Sequence, residues 1–312
     1  MGRLLLLLVG MWGLSCASIA SLDDYNSAET SGVGGNGGMG GSASGIPLTG
    51  GGGVDTVGVD AASTGSAGGG GRPTTAYFDA VMDSGPTYYW RLGDTTVADA
   101  QPAMAATGPD GFYGGSGVSS VPGLVSDTDG AVAFEADGRM VVVGQELGDL
   151  SDGGPGSIQE GFTLELWFDA GAAATGTLVS LRGNNGWTFR LHLAAGALQF
   201  DLAPMNGGTG SIGPLPVAPG PHHVAATWKG GDANGMFVLC VTVDGSTANC
   251  SIENWASFDA PASRARLIVG GEETMAGGTT TAHIDGVIDE VAIYIPELDD
   301  NAIAEHYQVG LP

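Results

Sequence analysis

Positive charge is scarce in this sequence. Its 312 residues hold 9 Lys+Arg against 34 Asp+Glu, a formal net charge of −25, and Lys229 is the only lysine. A polyanion of this strength repels phosphate backbones and anionic lipid headgroups, which excludes nucleic acid as a partner and direct adsorption to membranes. Cysteine is scarce too: Cys16, Cys240 and Cys250 are the three in the chain. The sequence also lacks Gly-x-Ser-x-Gly, His-Glu-x-x-His and a glycine loop with a P-loop lysine, the short signatures of several hydrolases and nucleotide-binding enzymes. Past the N-terminus no apolar run reaches transmembrane length.

What is present begins with Arg3, followed by Leu4, Leu5, Leu6, Leu7, Leu8 and Val9. This is a short positive region and an apolar run too short to span a bilayer as a mature helix. Gly13-Leu14-Ser15-Cys16 resembles the lipobox of bacterial lipoproteins, with Gly13 where leucine is usual. The resemblance implies a lipoprotein-type signal peptide over 1–16 and lipidation of Cys16. Ordinary cleavage after Ala17 or Ala20 is the competing reading. Both imply export, either as an outer-membrane or cell-surface lipoprotein or as a secreted protein, with membrane contact only through a lipid anchor. Residues 32–71 then hold 18 glycines in 40 positions, with Asp55 and Asp60 as the only charges. Such a segment cannot bury enough apolar area to offset its ordering entropy. Residues 17–76 therefore read as a disordered Gly/Ser-rich linker with a reach of roughly 40–45 Å.

From Ala76-Tyr77 onward the pattern turns strand-like. Phe162, Leu164, Leu166 and Phe168 alternate onto one face, and Trp187, Phe189, Leu191 and Leu193 repeat the pattern, with Thr188, Arg190 and His192 facing the other way. Ala195-Gly196 turns the chain into Leu198, Phe200 and Leu202. Further strands are expected over 224–228, 236–243, 266–269 and 287–295. Only Asp299 to Tyr307 reads as helical, with Asp299 or Asp300 as its cap. The expectation is one all-β domain over 77–312, a sandwich or barrel.

Several segments together resemble the laminin-G-like jelly-roll family of the concanavalin A-like lectin and glucanase group. They are Tyr88-Tyr89-Trp90-Arg91-Leu92-Gly93-Asp94, Asp129-Gly130-Ala131-Val132-Ala133-Phe134 and Phe162-Thr163-Leu164-Glu165-Leu166-Trp167. Further along come His222-His223-Val224-Ala225-Ala226-Thr227-Trp228, Val241-Thr242-Val243-Asp244-Gly245 and Ile284 to Tyr294. Six segments in the family's order imply an antiparallel two-sheet jelly-roll sandwich. They also imply ligand contacts on a concave face or rim loops, and a structural calcium. If the opening and closing segments lie side by side, Asp127, Asp129 and Asp285 with loop carbonyls make a six- to eight-oxygen site. Solvated turn carboxylates are the competing reading.

Other residues have structural readings first. Trp90, Trp167, Trp187 and Trp228 are expected to fill the sandwich. Adjacent strand residues face opposite ways, so His222 and His223 do not share a metal, and Asp289 and Glu290 do not form a same-face acid pair. On its own face Glu165 has only Thr163 and Trp167 beside it. Counting across the turn Asp244-Gly245-Ser246 sets Val243 opposite Thr247 and Cys240 opposite Cys250, close enough for a disulfide in an oxidising compartment. The function expected is a non-catalytic binding or adhesion module on the bacterial envelope, recognising carbohydrate or a surface protein. A scaffolding envelope lipoprotein and a glycoside-active enzyme are the alternatives.

Overall fold

A computed structural model describes residues 76–143, 161–183, 187–203, 210–229, 237–246, 248–253 and 265–312. The chain divides into two units, Met1–Ala67 and Gly68–Pro312. The expected signal peptide, Cys16 and the linker as far as Thr75 lie outside the described residues. The described chain opens with helix α1 (Ala76–Asp83). Strands β1 (Tyr88–Trp90), β2 (Pro102–Ala103), β3 (Ala105–Thr107), β4 (Gly111–Gly114), β5 (Val118–Pro122), β6 (Gly130–Phe134) and β7 (Arg139–Val143) follow. Next come β8 (Gly161–Ala170), β9 (Gly176–Arg182), β10 (Trp187–Ala194), β11 (Ala197–Leu202), β12 (Gly210–Pro216), β13 (Gly220–Lys229) and β14 (Phe237–Val243). The last are β15 (Asn249–Glu253), β16 (Arg266–Val269), β17 (Glu272–Glu273), β18 (Thr280–Thr281), β19 (Gly286–Tyr294) and helix α2 (Asp300–Gly310).

The strands form two antiparallel sheets and one small hairpin, β17–β18. The first sheet runs β15-β14-β13-β8-β19-β1-β3, with β6 also on β19 and β5 on β6. The second runs β12-β11-β10-β9-β16-β7-β4-β2. The opening and closing strands pair as expected, Tyr88 opposite Ile293. Between the sheets, Phe162, Leu164, Leu166 and Phe168 of β8 share a core with Phe189, Leu191 and Leu193 of β10. The rings of Phe162 and Phe189 lie 5.3 Å apart. Trp90 and Trp228 belong to the same core. Each of these side chains removes a large apolar area from water, the main driving force for closing the sandwich.

Turn chemistry fixes the hairpins. Ala195 and Gly196 have φ of 51° and 77°, Asp244 and Gly245 of 52° and 59°. Two successive positive values are what the tight turns matched to strand twist require. The second turn sets Cys240 opposite Cys250, and the two form a disulfide. Cys240 lies across from Thr227 on the outer face, leaving Leu239 and Val241 in the core.

α1 departs from expectation, since the sequence pattern places no helix there. Tyr77 and Val81, one turn apart, are its buried residues, and eight residues offer too few turns for that periodicity to stand out. α2 begins as expected: Asp299 Oδ1 accepts from the amides of Asn301 at 2.9 Å and Ala302 at 2.8 Å. Both helices cover the outer face of the first sheet, where Tyr77, Val81, Leu298 and Ile303 form a second core with Tyr89, Trp167 and Tyr294. No helix among the described residues is long and apolar enough to cross a membrane.

Candidate functional site

Under α1 and α2 the first sheet holds a sealed polar layer. Glu165 points outward from β8 and is fully buried. Its Oε1 accepts from Tyr77 Oη at 3.2 Å and from His223 Nε2 at 2.7 Å. His306 Nδ1, on α2, lies 3.0 Å from both carboxylate oxygens. Burial alone raises the Glu165 carboxyl; the hydrogen bond from His223, with the charge and hydrogen bond of His306, outweighs it and holds the group well below the usual carboxylate range. For His306 burial acts downward, and the bond and charge of Glu165 win and raise it. Alternation alone gave no sign of these three partners, which come from elements far away in sequence. His222 turns the other way, its Nδ1 2.7 Å from Asp244 Oδ2, so the tandem histidines are separated as expected.

Asp289 and Glu290 correct the sequence reading. The register slips between Asp289 and Ala292, and Glu290 takes φ 54°. Ile288 and Val291 both enter the central core while Ala292 and Tyr294 face outward. This bulge brings both carboxylates to the outer face. Glu290 Oε1 accepts from Arg91 Nε at 3.2 Å and Nη2 at 3.1 Å, and Tyr89 Oη donates to its other oxygen. Asp289 Oδ2 accepts from the Leu124 amide at 2.9 Å. Burial, then the neighbouring Glu290, pushes Asp289 well above the usual carboxylate range. A same-face acid pair therefore exists, but neither residue is more than 1% exposed. Glu290 meets Arg91 and Asp289 the Leu124 amide, neither of them solvent.

Arg91 also occupies the expected calcium ligands. Asp127 pairs with its Nη2, and Asp129 Oδ2 lies 3.2 Å from its Nε. Gly93 permits this close approach, because a Cβ there falls 1.8 Å from Asp129 Oδ1. Asp285 is exposed in the turn before β19. Among the described residues no three His, Cys, Asp or Glu side chains gather to hold a metal ion. The Arg91 guanidinium already bridges Asp127 and Asp129, and no third carboxylate gathers with them as a metal ligand among the described residues, so the Asp127, Asp129 and Asp285 set does not fit calcium.

The outer face of the second sheet is more open. Residues opposed across strands share a face, and one row runs Ser211, Asp201, Arg190, Ser180, Ile268, Val141, Phe112. Trp187 belongs to this face, not to the core where alternation puts it. The register slips between Trp187 and Phe189, and Trp187 lies opposite Arg182, half-buried. The guanidinium carbons of Arg182 and Arg190 lie 4.2 and 4.9 Å from its ring centroid, within cation–π range. Arg190 donates to Asp201 Oδ2 from Nη2 at 2.6 Å and to Glu272 Oε2 from Nη1 at 3.1 Å.

Asp201 collects further donors. Gln199 Nε2 reaches its Oδ1 at 2.8 Å and Ser211 Oγ at 2.6 Å, while His192 Nε2 lies 3.0 Å from Oδ2. Burial raises the Asp201 carboxyl, but these hydrogen bonds together hold it below the usual range. The β17–β18 hairpin covers part of the face: Ser180 Oγ donates to the Gly271 carbonyl at 3.0 Å, and Glu273 pairs with Arg266. What is left is a half-exposed indole in contact with two guanidiniums, on a face that also carries Arg190 and His192, whose side chains are 23% and 14% exposed. Such a set can hydrogen-bond hydroxyl and carboxylate oxygens and offer an aromatic surface. Sequence reasoning missed it because one extra residue at Thr188 moved Trp187 across the sheet. The available signal was the pair Arg182 and Arg190 flanking Trp187 in a chain with nine basic residues.

The family profile described as the concanavalin A-like lectin/glucanases superfamily matches residues 149–304. No curated protein matches the chain. Among solved structures, the binding domain of botulinum neurotoxin serotype D/C has a TM-score of 0.50 at 14% identity, covering 73% of this chain and 52% of that one. The binding domain of botulinum neurotoxin DC in complex with rat synaptotagmin II has a TM-score of 0.51 at 12% identity, with the same coverages of 73% and 52%. Domain 4 of AbnA, a GH43 extracellular arabinanase from Geobacillus stearothermophilus, in complex with arabinotriose, has a TM-score of 0.49 at 14% identity, covering 72% and 98%. The chain thus spans about half the length of the toxin domains it matches. At these identities the structural likeness is one of fold alone. Together with the profile match over half the sequence, the two stacked antiparallel sheets lead to one conclusion: the chain belongs to the concanavalin A-like lectin/glucanases superfamily.

Proposed function

We propose that this chain is a non-catalytic binding module that recognises carbohydrate or a surface protein through the outer face of its second sheet. The observation that carries the reading is Trp187, turned out of the core by a bulge and contacted by Arg182 and Arg190 on a face with partly exposed hydrogen-bonding side chains. An indole at the surface has an energetic cost that a ligand's apolar surface can offset. The buried acid pair of β19 supports the same reading from the other side, since its carboxylates are spent on Arg91 and the Leu124 amide. The toxin binding domain of similar fold is known in complex with a protein ligand, a fold-level analogy. A glycan and protein array probed with the purified protein and with Trp187→Ala tests this. Binding that is lost in the variant is expected; equal signals from both proteins overturn the site.

The same reading includes display on the cell envelope, with Cys16 lipidated and residues 17–76 lifting the domain from the surface. It rests on the apolar run Leu4 to Val9 ahead of Cys16 and a glycine-rich segment. A palmitate analogue fed to a bacterial host should label the wild type and not Cys16→Ala. Equal label in both ends the idea.

A further inference from the structure

Four of the chain's nine basic residues, Arg139, Arg182, Arg190 and Arg266, stand on the outer face of the second sheet. In a molecule of net charge −25 the four share their face with Asp201, Glu272 and Glu273, so only part of their charge is left uncompensated. The four are not equivalent. Arg190 is neutralised by Asp201 and Glu272, and Arg266 by Glu273. Arg139 donates from Nη1 to the Asp137 carbonyl at 2.9 Å. Arg182 has no carboxylate partner among the described residues; its contact is the face of Trp187, 4.2 Å from the ring centroid.

We propose that Arg182, backed by Trp187 and Arg190, is an anion-binding subsite whose ligand is an acidic polysaccharide, one whose sugars carry a carboxylate or a sulfate. The proposal rests on the reading of this face as a binding surface and names the ligand class. A guanidinium presents a planar fork of donors that matches carboxylate and sulfate oxygens in pairs. Stacking on the indole holds that fork in one orientation and spares much of the entropy lost on binding. Arg190, tied to Asp201 and Glu272, also contacts the ring and leaves Arg182 to take the external anion.

Sugar is favoured over acidic peptide by what continues across the same face from Arg190. His192 and Gln199 oppose each other on β10 and β11, and Ser211, exposed, lies opposite Asp201 on β12. From Arg190, whose guanidinium contacts the Trp187 ring, to Ser211 is two strand spacings, roughly 10 Å. That row of partly exposed hydrogen-bonding side chains, held in place by Asp201 on the face that carries Trp187, suits the hydroxyls of an extended glycan. Because the molecule as a whole repels polyanions, attraction is confined to contact range and weakens with salt.

The test is titration calorimetry of the full-length purified protein with polygalacturonate, dextran sulfate, neutral dextran and poly-glutamate. The wild type should bind polygalacturonate or dextran sulfate at least tenfold more tightly than dextran or poly-glutamate. Whichever of the two binds identifies carboxylate or sulfate as the source. Arg182→Gln should lose at least tenfold, Arg182→Lys should recover only part of it, and Lys229→Gln should bind as wild type. Unchanged melting temperatures show that the variants fold. Polyanion binding indifferent to Arg182→Gln, or equal binding of poly-glutamate, overturns the proposal. Neutral glycan bound as tightly as acidic glycan and lost in Trp187→Ala overturns the acidic class and leaves the binding face standing. Failure of every glycan and protein on the array overturns both.

Discussion

Glu165 is charged in a layer that excludes water, and its three partners decide how it behaves. Its carboxyl is lowered by His223 and His306, and His306 is raised by that carboxylate, in each case after burial has acted the opposite way. A raised histidine contributes stability that is complete below its unfolded value, near 6.5, and is lost as pH rises through the folded value above it. A lowered carboxyl contributes stability that is present above about 4.3 and is lost as pH falls through its folded value. Docking of α2 is therefore strongest between about pH 4.3 and 6.5. Thermal melts should show the wild type losing stability from pH 6 to pH 9, with His306→Gln flatter over that range. His306→Ala, which leaves the buried Glu165 short of a partner, should cost about 3 kcal/mol at pH 6. A wild-type profile no steeper than that of His306→Gln contradicts this assignment.

Single residues were also where the sequence was hardest to read. The two-residue period placed Phe162, Leu164, Leu166 and Phe168 correctly, since β8 has no extra residue along that stretch. It misplaced Trp187 and Glu290, each next to a bulge, because one inserted residue exchanges the two faces of a strand. Those two errors fall on the candidate face and on the buried acid pair.

Elements were legible where turn or cap chemistry marked them. Asp244-Gly245 fixed a hairpin register, and the register fixed the bridge between Cys240 and Cys250. Its sequence separation is 10, so the closed loop is short and the chain-entropy model allows at most about 3 kcal/mol. The hairpin already limits the open ends, which makes the expected loss smaller. Cys240→Ser/Cys250→Ser should unfold at lower denaturant with the same slope; a midpoint equal to that of the oxidised wild type contradicts a stabilising bridge. Asp299 marked α2 by its capping side chain. α1 has no such marker, and Tyr77 meets Trp167, its edge-on partner at 6.2 Å, only after the sheet has formed. Tertiary burial, not local propensity, makes that helix.

At the scale of the whole molecule, the two faces left outside the sandwich have different fates. Helices α1 and α2 close one, over a second core and a set of buried ion pairs. The other keeps an indole, guanidiniums and hydrogen-bonding side chains partly in contact with solvent. The sandwich itself was legible because its signals are spread over six segments and 236 positions from 77 to 312. The binding face was not, because it depends on one bulge and on cross-strand neighbours that no local pattern records. Hydroxyl-radical footprinting, with and without the strongest array ligand, tests most directly which face binds. Ligand should protect Trp187 from oxidation while exposed Met104 and Met275 react as before; unchanged labelling of Trp187 with protection elsewhere on the surface contradicts binding at this face.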